Sequence, residues 1–155
     1  MAEIDALVIG AGPAGLMAAQ MLAEAGRKVH IIEAKPSPAR KFLMAGKSGL
    51  NLSKEQELDT FLGNYWEASE FLRPMISAFD HNAVQAWARE LGQEVFTGSS
   101  ARIFPVSMKA SPLLRAWLAN LDNSGAILHK KWRWIGFGDN GYRFETPAGE
   151  KTLKP

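Results

Sequence analysis

The run Leu7-Val8-Ile9-Gly10-Ala11-Gly12-Pro13-Ala14-Gly15-Leu16-Met17-Ala18-Ala19 constrains the fold more than any other part of the chain. The residues leading into it, Ile4 to Ile9, are mostly apolar and end in glycine, which predicts a strand buried on both faces in a parallel sheet. Three glycines follow at G-x-G-x-x-G spacing. Pro13 to Ala25 then sets Ala, Leu, Met and Gln at helical spacing, with Pro13 in the first turn, where its missing N–H is tolerated, and Gly26 just past the end. Lys28 to Glu33, KVHIIE, reads as a second buried strand, so residues 4–33 form a βαβ unit with a crossover expected to be right-handed.

Each glycine has a separate physical task in a dinucleotide-binding turn. The first permits the tight turn out of the strand, the second lets backbone approach a pyrophosphate, and the third lets helix and strand pack closely. Gly10, Gly12 and Gly15 stand at those offsets. A pyrophosphate would then face the helix start at Pro13, Ala14 and Gly15, where free N–H groups and the positive end of the helix dipole favour an anion. Glu33 closes the second strand near the roughly 20-residue offset of an acid that accepts hydrogen bonds from the adenosine ribose. Its charge would repel a 2′-phosphate, which favours FAD or NAD over NADP. Ala34 and Lys35, directly after it, belong to the same candidate site. The bland alternative is a structural glycine turn, but the strand before, the helix after and the acid beyond argue against it. These residues alone leave FAD and NAD open.

Composition excludes several other classes. At 155 residues, with 46% hydrophobic and 22% charged, the chain is long enough to bury a core, and one domain is the default. A formal net charge of +2 is too small to argue for a nucleic-acid partner. The densest basic cluster, Lys130, Lys131 and Arg133 around Trp132 and Trp134, reads as a solvated strand edge with aromatics on its other face. With no cysteine, disulfides, thiolate zinc sites and thiol chemistry are excluded, so any redox chemistry must come from a cofactor. The start MAEIDALVIGAG lacks signal-peptide features, and no apolar run approaches the ~18 residues of a membrane span, so a cytoplasmic protein without a membrane partner is expected. His30, His81 and His129 form no catalytic set, and there is no metal-ligand spacing and no G-x-S-x-G elbow.

Along the rest of the chain, residues 34–53 are rich in Pro, Gly, Lys and Ser and predict a long loop with a binding role. Helical patterns cover Glu55 to Leu62, Glu67 to Ala78 and Asn82 to Leu91, with Asp80 as a cap for the last and the helical segment closing at residue 92. Glu94 to Thr97 is a short strand, and Ser111-Pro112 opens a helix reaching Leu121. From about 126 to 154 the pattern is β, with strands at Ala126 to His129, Trp132 to Phe137, Tyr142 to Thr146 and Lys151 to Leu153. The last three read as an antiparallel meander. The expected class is α/β, a Rossmann-like parallel sheet with helices plus a small antiparallel meander.

VIGAGPAGLMAA followed by HIIEA resembles the N-terminal motif of the two-dinucleotide-binding-domain flavoproteins, where it holds the ADP half of FAD. More narrowly, Arg40-Lys41-Phe42-Leu43-Met44-Ala45-Gly46-Lys47-Ser48-Gly49-Leu50-Asn51-Leu52-Ser53 resembles the G-R-K-F-L-x-S-G-G-G-R-C-N-x-T segment of the HI0933-like, or BaiN-type, NAD(P)/FAD-dependent oxidoreductases. Ala101-Arg102-Ile103-Phe104-Pro105-Val106-Ser107-Met108-Lys109-Ala110-Ser111 resembles that family's G-R-x-F-P-x-S-x-K-A-S segment. Where the family often carries G-G-R-C-N, this chain has Lys47-Ser48-Gly49-Leu50-Asn51, without the Arg and the Cys.

The resemblance implies an FAD cofactor, with NAD(P)H as a candidate reductant and a small-molecule substrate it does not name. It implies that Arg40 and Lys41 neutralise the pyrophosphate or support the ribitol side, that Gly46 lets backbone approach the cofactor, and that Asn51 and Arg102 lie on the flavin side. A missing side-chain triad is no objection, because the isoalloxazine carries the hydride or electron chemistry. Members of the family are normally much longer, with a substrate-side domain and a final FAD segment. The expectation is therefore an N-terminal portion that is inactive by itself. A non-catalytic nucleotide-binding module and an NAD-dependent dehydrogenase domain are the alternatives.

Overall fold

The computed structural model describes residues 4–45 and 48–155. The chain divides into two compact units, Met1–Met44 with Trp117–Pro155, and Ala45–Ala116.

The first unit is built on β1 (Ala6–Ile9), α1 (Pro13–Glu24) and β2 (Val29–Glu33), and it also holds most of α2 (Arg40–Ala45). β1 and β2 pair in parallel, Ala6 opposite Val29 through Ile9 opposite Ile32. α1 buries Leu16, Ala19, Gln20 and Ala23, the single stripe that a helical period sets on one face. That stripe includes a polar residue, which buried packing tolerates only when its groups are bonded. Gln20 donates from Nε2 to Glu24 at 2.7 Å and accepts at Oε1 from the Trp117 indole N–H at 2.7 Å. β2 is buried along Val29, His30, Ile31 and Ile32, a run that is apolar except for His30. β1 is not buried in the same way. Among the described residues it pairs with β2 alone, at the edge of the sheet, and Ile9 is 44% exposed.

α2 falls inside the segment expected to be irregular. Arg-Lys-Phe-Leu-Met-Ala is a run of good helix formers, and six residues are too few to show a period in the sequence. The later strands divide between two sheets. β6 (Ile127–Lys130) pairs in parallel with β2, His30 opposite Ile127 through Glu33 opposite Lys130, completing the sheet order β1-β2-β6. The antiparallel meander consists, as expected, of the last three strands, β7 (Arg133–Gly138), β8 (Gly141–Thr146) and β9 (Gly149–Leu153), so of the β region from about 126 to 154 only the part from β7 onward belongs to it. Its inward anchor is Phe144, fully buried, with its ring centroid 6.0 Å from that of Trp132.

β2 and β6 also bring two histidines together. His30 Nδ1 and His129 Nε2 lie 3.0 Å apart, sharing one hydrogen bond, and His129 stacks against Trp132 at 4.4 Å. Burial pushes both imidazoles below their ordinary value, and for His129 the neighbouring His30 adds to the effect. The unfolded chain therefore takes up protons near pH 6.5 more readily than the folded one, and stability falls as pH is lowered through that value. Thermal melts from about pH 7.5 to 5 should show this decline, and His129→Phe should flatten it. Equal slopes in the two proteins would remove the pair as its source.

The second unit contains β3 (Ser53–Lys54), α3 (Leu58–Leu62), a 3-10 segment at Gly63–Ala68, α4 (Ser69–Ala78), α5 (His81–Glu90), β4 (Val95–Thr97) and β5 (Arg102–Pro105). The division from the first unit falls within α6 (Ala110–Asn123). Asp80 caps α5 as its position predicts, Oδ1 accepting from the Asn82 and Ala83 N–H groups at 2.9 Å each. β3, β5 and β4 form an antiparallel sheet in that order. Two of these strands were not legible as strands, β3 because it is two residues long and β5 because it ends in Pro105.

Candidate functional site

The glycine turn joins β1 to α1, and its geometry follows from the order of its residues. Gly10 adopts φ +104°, a conformation L side chains rarely take, while its N–H still reaches Ile32 O at 2.8 Å. The chain thus turns away from β1 without breaking the β1–β2 ladder. Gly15 sits in the first turn of α1 against that same bend, where an added Cβ would lie 1.9 Å from the Gly10 carbonyl oxygen. Gly12 differs from both. Its backbone is extended, φ −81° and ψ 177°, and a Cβ there would meet nothing within 4 Å. Open space beside the second glycine is what an approaching ligand needs, whereas contact at the third is what close packing needs.

Gly12 is the N-cap of α1, and no side chain caps it. No acidic residue stands in the first turn either. Pro13 has no N–H to satisfy, and the amides of Ala14 and Gly15 belong to the turn that finds no acceptor within the helix. This start contrasts with that of α5, where Asp80 supplies the anion from the chain itself. α1 therefore presents free N–H groups and a positive dipole end toward the open space by Gly12.

Glu33 stands beside this turn, at the end of β2. Its Oε2 accepts from the Ala11 N–H at 3.2 Å and its Oε1 from the Lys35 N–H at 2.7 Å. Its own carbonyl accepts from Trp132 N–H at 3.0 Å, so both backbone and side chain are fixed. A carboxylate offers about four acceptor positions, and the described residues use two of them. Ala11 was not among the residues singled out by sequence, yet it is fully buried and its carbonyl accepts from Ala39 N–H at 2.8 Å. The signal for it is only its position between two glycines.

The structure brings Gly10, Gly12, Pro13, Ala14, Gly15, Glu33, Ala34 and Lys35 into the first unit, around this turn and strand end. Arg40 and Lys41 open α2, both exposed. Gly46 lies outside the described residues. Asn51 and Arg102 belong to the second unit, where the two family-like segments run side by side. Leu50 N–H donates to Met108 O at 3.0 Å, Leu52 N–H to Ile103 O at 2.9 Å, and Ser53 pairs with Ile103 in the ladder. Lys54 and Arg102 face each other directly in that ladder, two exposed cations on one face. Ala101 and Met108 flank β5 in the left-handed region, at φ 60° and 57°, strain of about 1–3 kcal/mol each that the surrounding bonds must hold. Among the described residues no cluster of three or more His, Asp or Glu could hold a metal, and no helix is long and apolar enough to cross a membrane.

A parallel βαβ unit, a glycine turn opening a helix with an uncapped start, and an acid at the next strand end define a Rossmann domain. The chain matches the HI0933-like protein Rossmann domain over residues 4–154 and belongs to that family. It is 40% identical over 53 residues to the ribosomal RNA dihydrouridine synthase of Escherichia coli (strain K12), a match covering 34% of this chain and 13% of that protein. Over 95 residues it is 34% identical to the digeranylgeranylglycerophospholipid reductase of Methanosphaerula palustris, covering 60% of this chain and 23% of that protein. The chain thus matches less than a quarter of the length of either curated relative. Among solved structures, a flavocytochrome c3 fumarate reductase in its open conformation superposes with a TM-score of 0.70 at 17% identity, covering 95% of this chain and 31% of that one. At that identity the likeness is one of fold.

Proposed function

We propose that this chain is the FAD-binding portion of a flavin-dependent oxidoreductase. The observation that carries the reading is the Glu33 carboxylate, fixed by the Ala11 and Lys35 amides beside a glycine turn whose second glycine faces open space. The pyrophosphate of FAD lies at the Ala14 and Gly15 amides, and the two remaining acceptor positions of Glu33 take the ribose hydroxyls. Arg40 and Lys41 supply positive charge toward the phosphates. Asn51, Gly46 and Arg102 serve the flavin side. Membership in the HI0933-like family supports FAD over NAD, as does the fold shared with a flavocytochrome.

Bound flavin supplies hydride or electron transfer, with NAD(P)H as the proposed reductant, while the protein supplies position and electrostatics. The substrate is a small molecule acted on by the larger protein to which such a domain belongs. The 53 residues shared with the RNA-modifying enzyme are about a third of this chain, and they carry no substrate assignment.

The test is the visible spectrum of the purified chain after addition of FAD and removal of the excess by gel filtration. Retained flavin bands near one equivalent are expected. A folded chain that keeps no flavin but binds NAD or ADP in titration would overturn the assignment to FAD.

A further inference from the structure

The second unit contains a cavity that the nucleotide site does not use. Its volume is about 460 Å³, within the range that binds small organic ligands, and every residue lining it lies between Ser53 and Val84. Three aromatic side chains, Phe61, Tyr65 and Phe79, contribute to its walls. Two polar residues that line it hold buried atoms without any hydrogen-bond partner, Gln56 Oε1 and His81 Nδ1. Buried polar atoms are nearly always paired, so two such atoms at one cavity mark a place where a partner from outside the chain belongs.

The charges at the cavity decide what kind of partner. Glu57 and Asp80 both line it, and the described lining residues include no Lys or Arg. At the start of α5 the Asn82 and Ala83 amides are already taken by Asp80, which leaves His81 as the one lining side chain that could carry a positive charge. Those bonds, Ala83 foremost, hold the Asp80 carboxyl below the usual range and keep it charged. An amide oxygen and two carboxylates call for donors, and aromatic walls call for a flat ring or a cation over a ring face.

We propose that this cavity is a binding site for a flat aromatic ligand that carries N–H donors and is neutral or cationic, its donors reaching Gln56 Oε1 and its ring lying among Phe61, Tyr65 and Phe79. An anionic ring of the same size is rejected there.

The experiment uses the FAD-saturated 155-residue chain with labelled Ile and Val methyls, titrated with benzamidine, 2-aminobenzimidazole and benzoate. Ile76 and Val84, which line the cavity, are the reporters. Saturable shifts with the first two probes, with dissociation constants on the order of millimolar for such small molecules, and no shift with benzoate are expected. Gln56→Leu should weaken benzamidine by about tenfold or more, since it removes the acceptor and keeps the volume. The proposal is overturned if neither donor-bearing probe shifts the reporters, if benzoate shifts them equally, or if Gln56→Leu binds as the parent does. Because the first readout needs no variant, a Gln56→Leu chain that failed to fold would leave the wild-type titration to decide.

Discussion

Gly15→Ala lowers the stability of the chain by about 3 kcal/mol or more, while Gly12→Val leaves it folded and removes nucleotide binding. Both are substitutions at glycines of one turn, and the structure separates their effects. A Cβ at Gly15 would sit 1.9 Å from the Gly10 carbonyl oxygen, with Val8 Cγ1 at 3.3 Å, so backbone has to move on both sides. For a chain of this size the loss corresponds to a drop in Tm of roughly 6 to 12 °C. At Gly12 the backbone is extended, and beyond its two chain neighbours no described atom lies within 4 Å of the added Cβ. Only the less favourable N-cap residue is felt, at about 1 kcal/mol, whereas the side chain fills the space proposed for the pyrophosphate. FAD affinity should fall by at least about 100-fold, or some 2.8 kcal/mol. Thermal melts and flavin titrations of the two variants check the pair. Undiminished FAD affinity in Gly12→Val would sink the placement of the pyrophosphate, and an unchanged Tm in Gly15→Ala would sink the packing argument.

Glu33→Arg acts on binding and on folding together. The carboxylate accepts from two backbone amides, one of them on the fully buried Ala11, so its loss leaves turn donors unpaired at a cost of about 1–3 kcal/mol. The proposed ribose contact is lost as well, and an FAD affinity lower by roughly 10- to 100-fold is expected. The reversed charge should also relax the discrimination against a 2′-phosphate, measurable as a smaller ratio between the affinities for adenosine nucleotides without and with that group. Glu33→Gln keeps one acceptor oxygen and should fall between the parent and the arginine variant. FAD binding that is the same in all three proteins would remove Glu33 from the site.

The local parts of the fold and of the candidate site were legible because their signals are local. Gly10, Gly12 and Gly15 are spaced along a few residues, the strands on either side are short apolar runs, and Asp80 stands directly before the helix it caps. The pairings between distant segments were not. β6 reads as a strand in the sequence, but nothing in its residues states that it joins β2 in parallel rather than opening the meander. Residues 48–54 and 102–108 carry recognisable motifs, yet their antiparallel pairing involves a two-residue strand and one containing proline, too short and too irregular for periodicity to register. The His30–His129 hydrogen bond was invisible for the same reason, since it depends on which two strands are neighbours.

The sequence by itself determined the βαβ unit, the turn that opens α1 and the acid that closes β2, because backbone conformation and burial over a few residues follow from glycine, proline and apolar spacing. Tertiary structure decided the rest. It made Gly15 a packing contact and Gly12 an open one, although both are only glycines in the sequence, and it turned Glu33 toward the Ala11 amide. It also left Gln56 and His81 with unpaired atoms around one cavity. The physical reason is that clearance, pairing and hydrogen-bond satisfaction are properties of atoms brought together from distant positions, and only the folded chain fixes those distances.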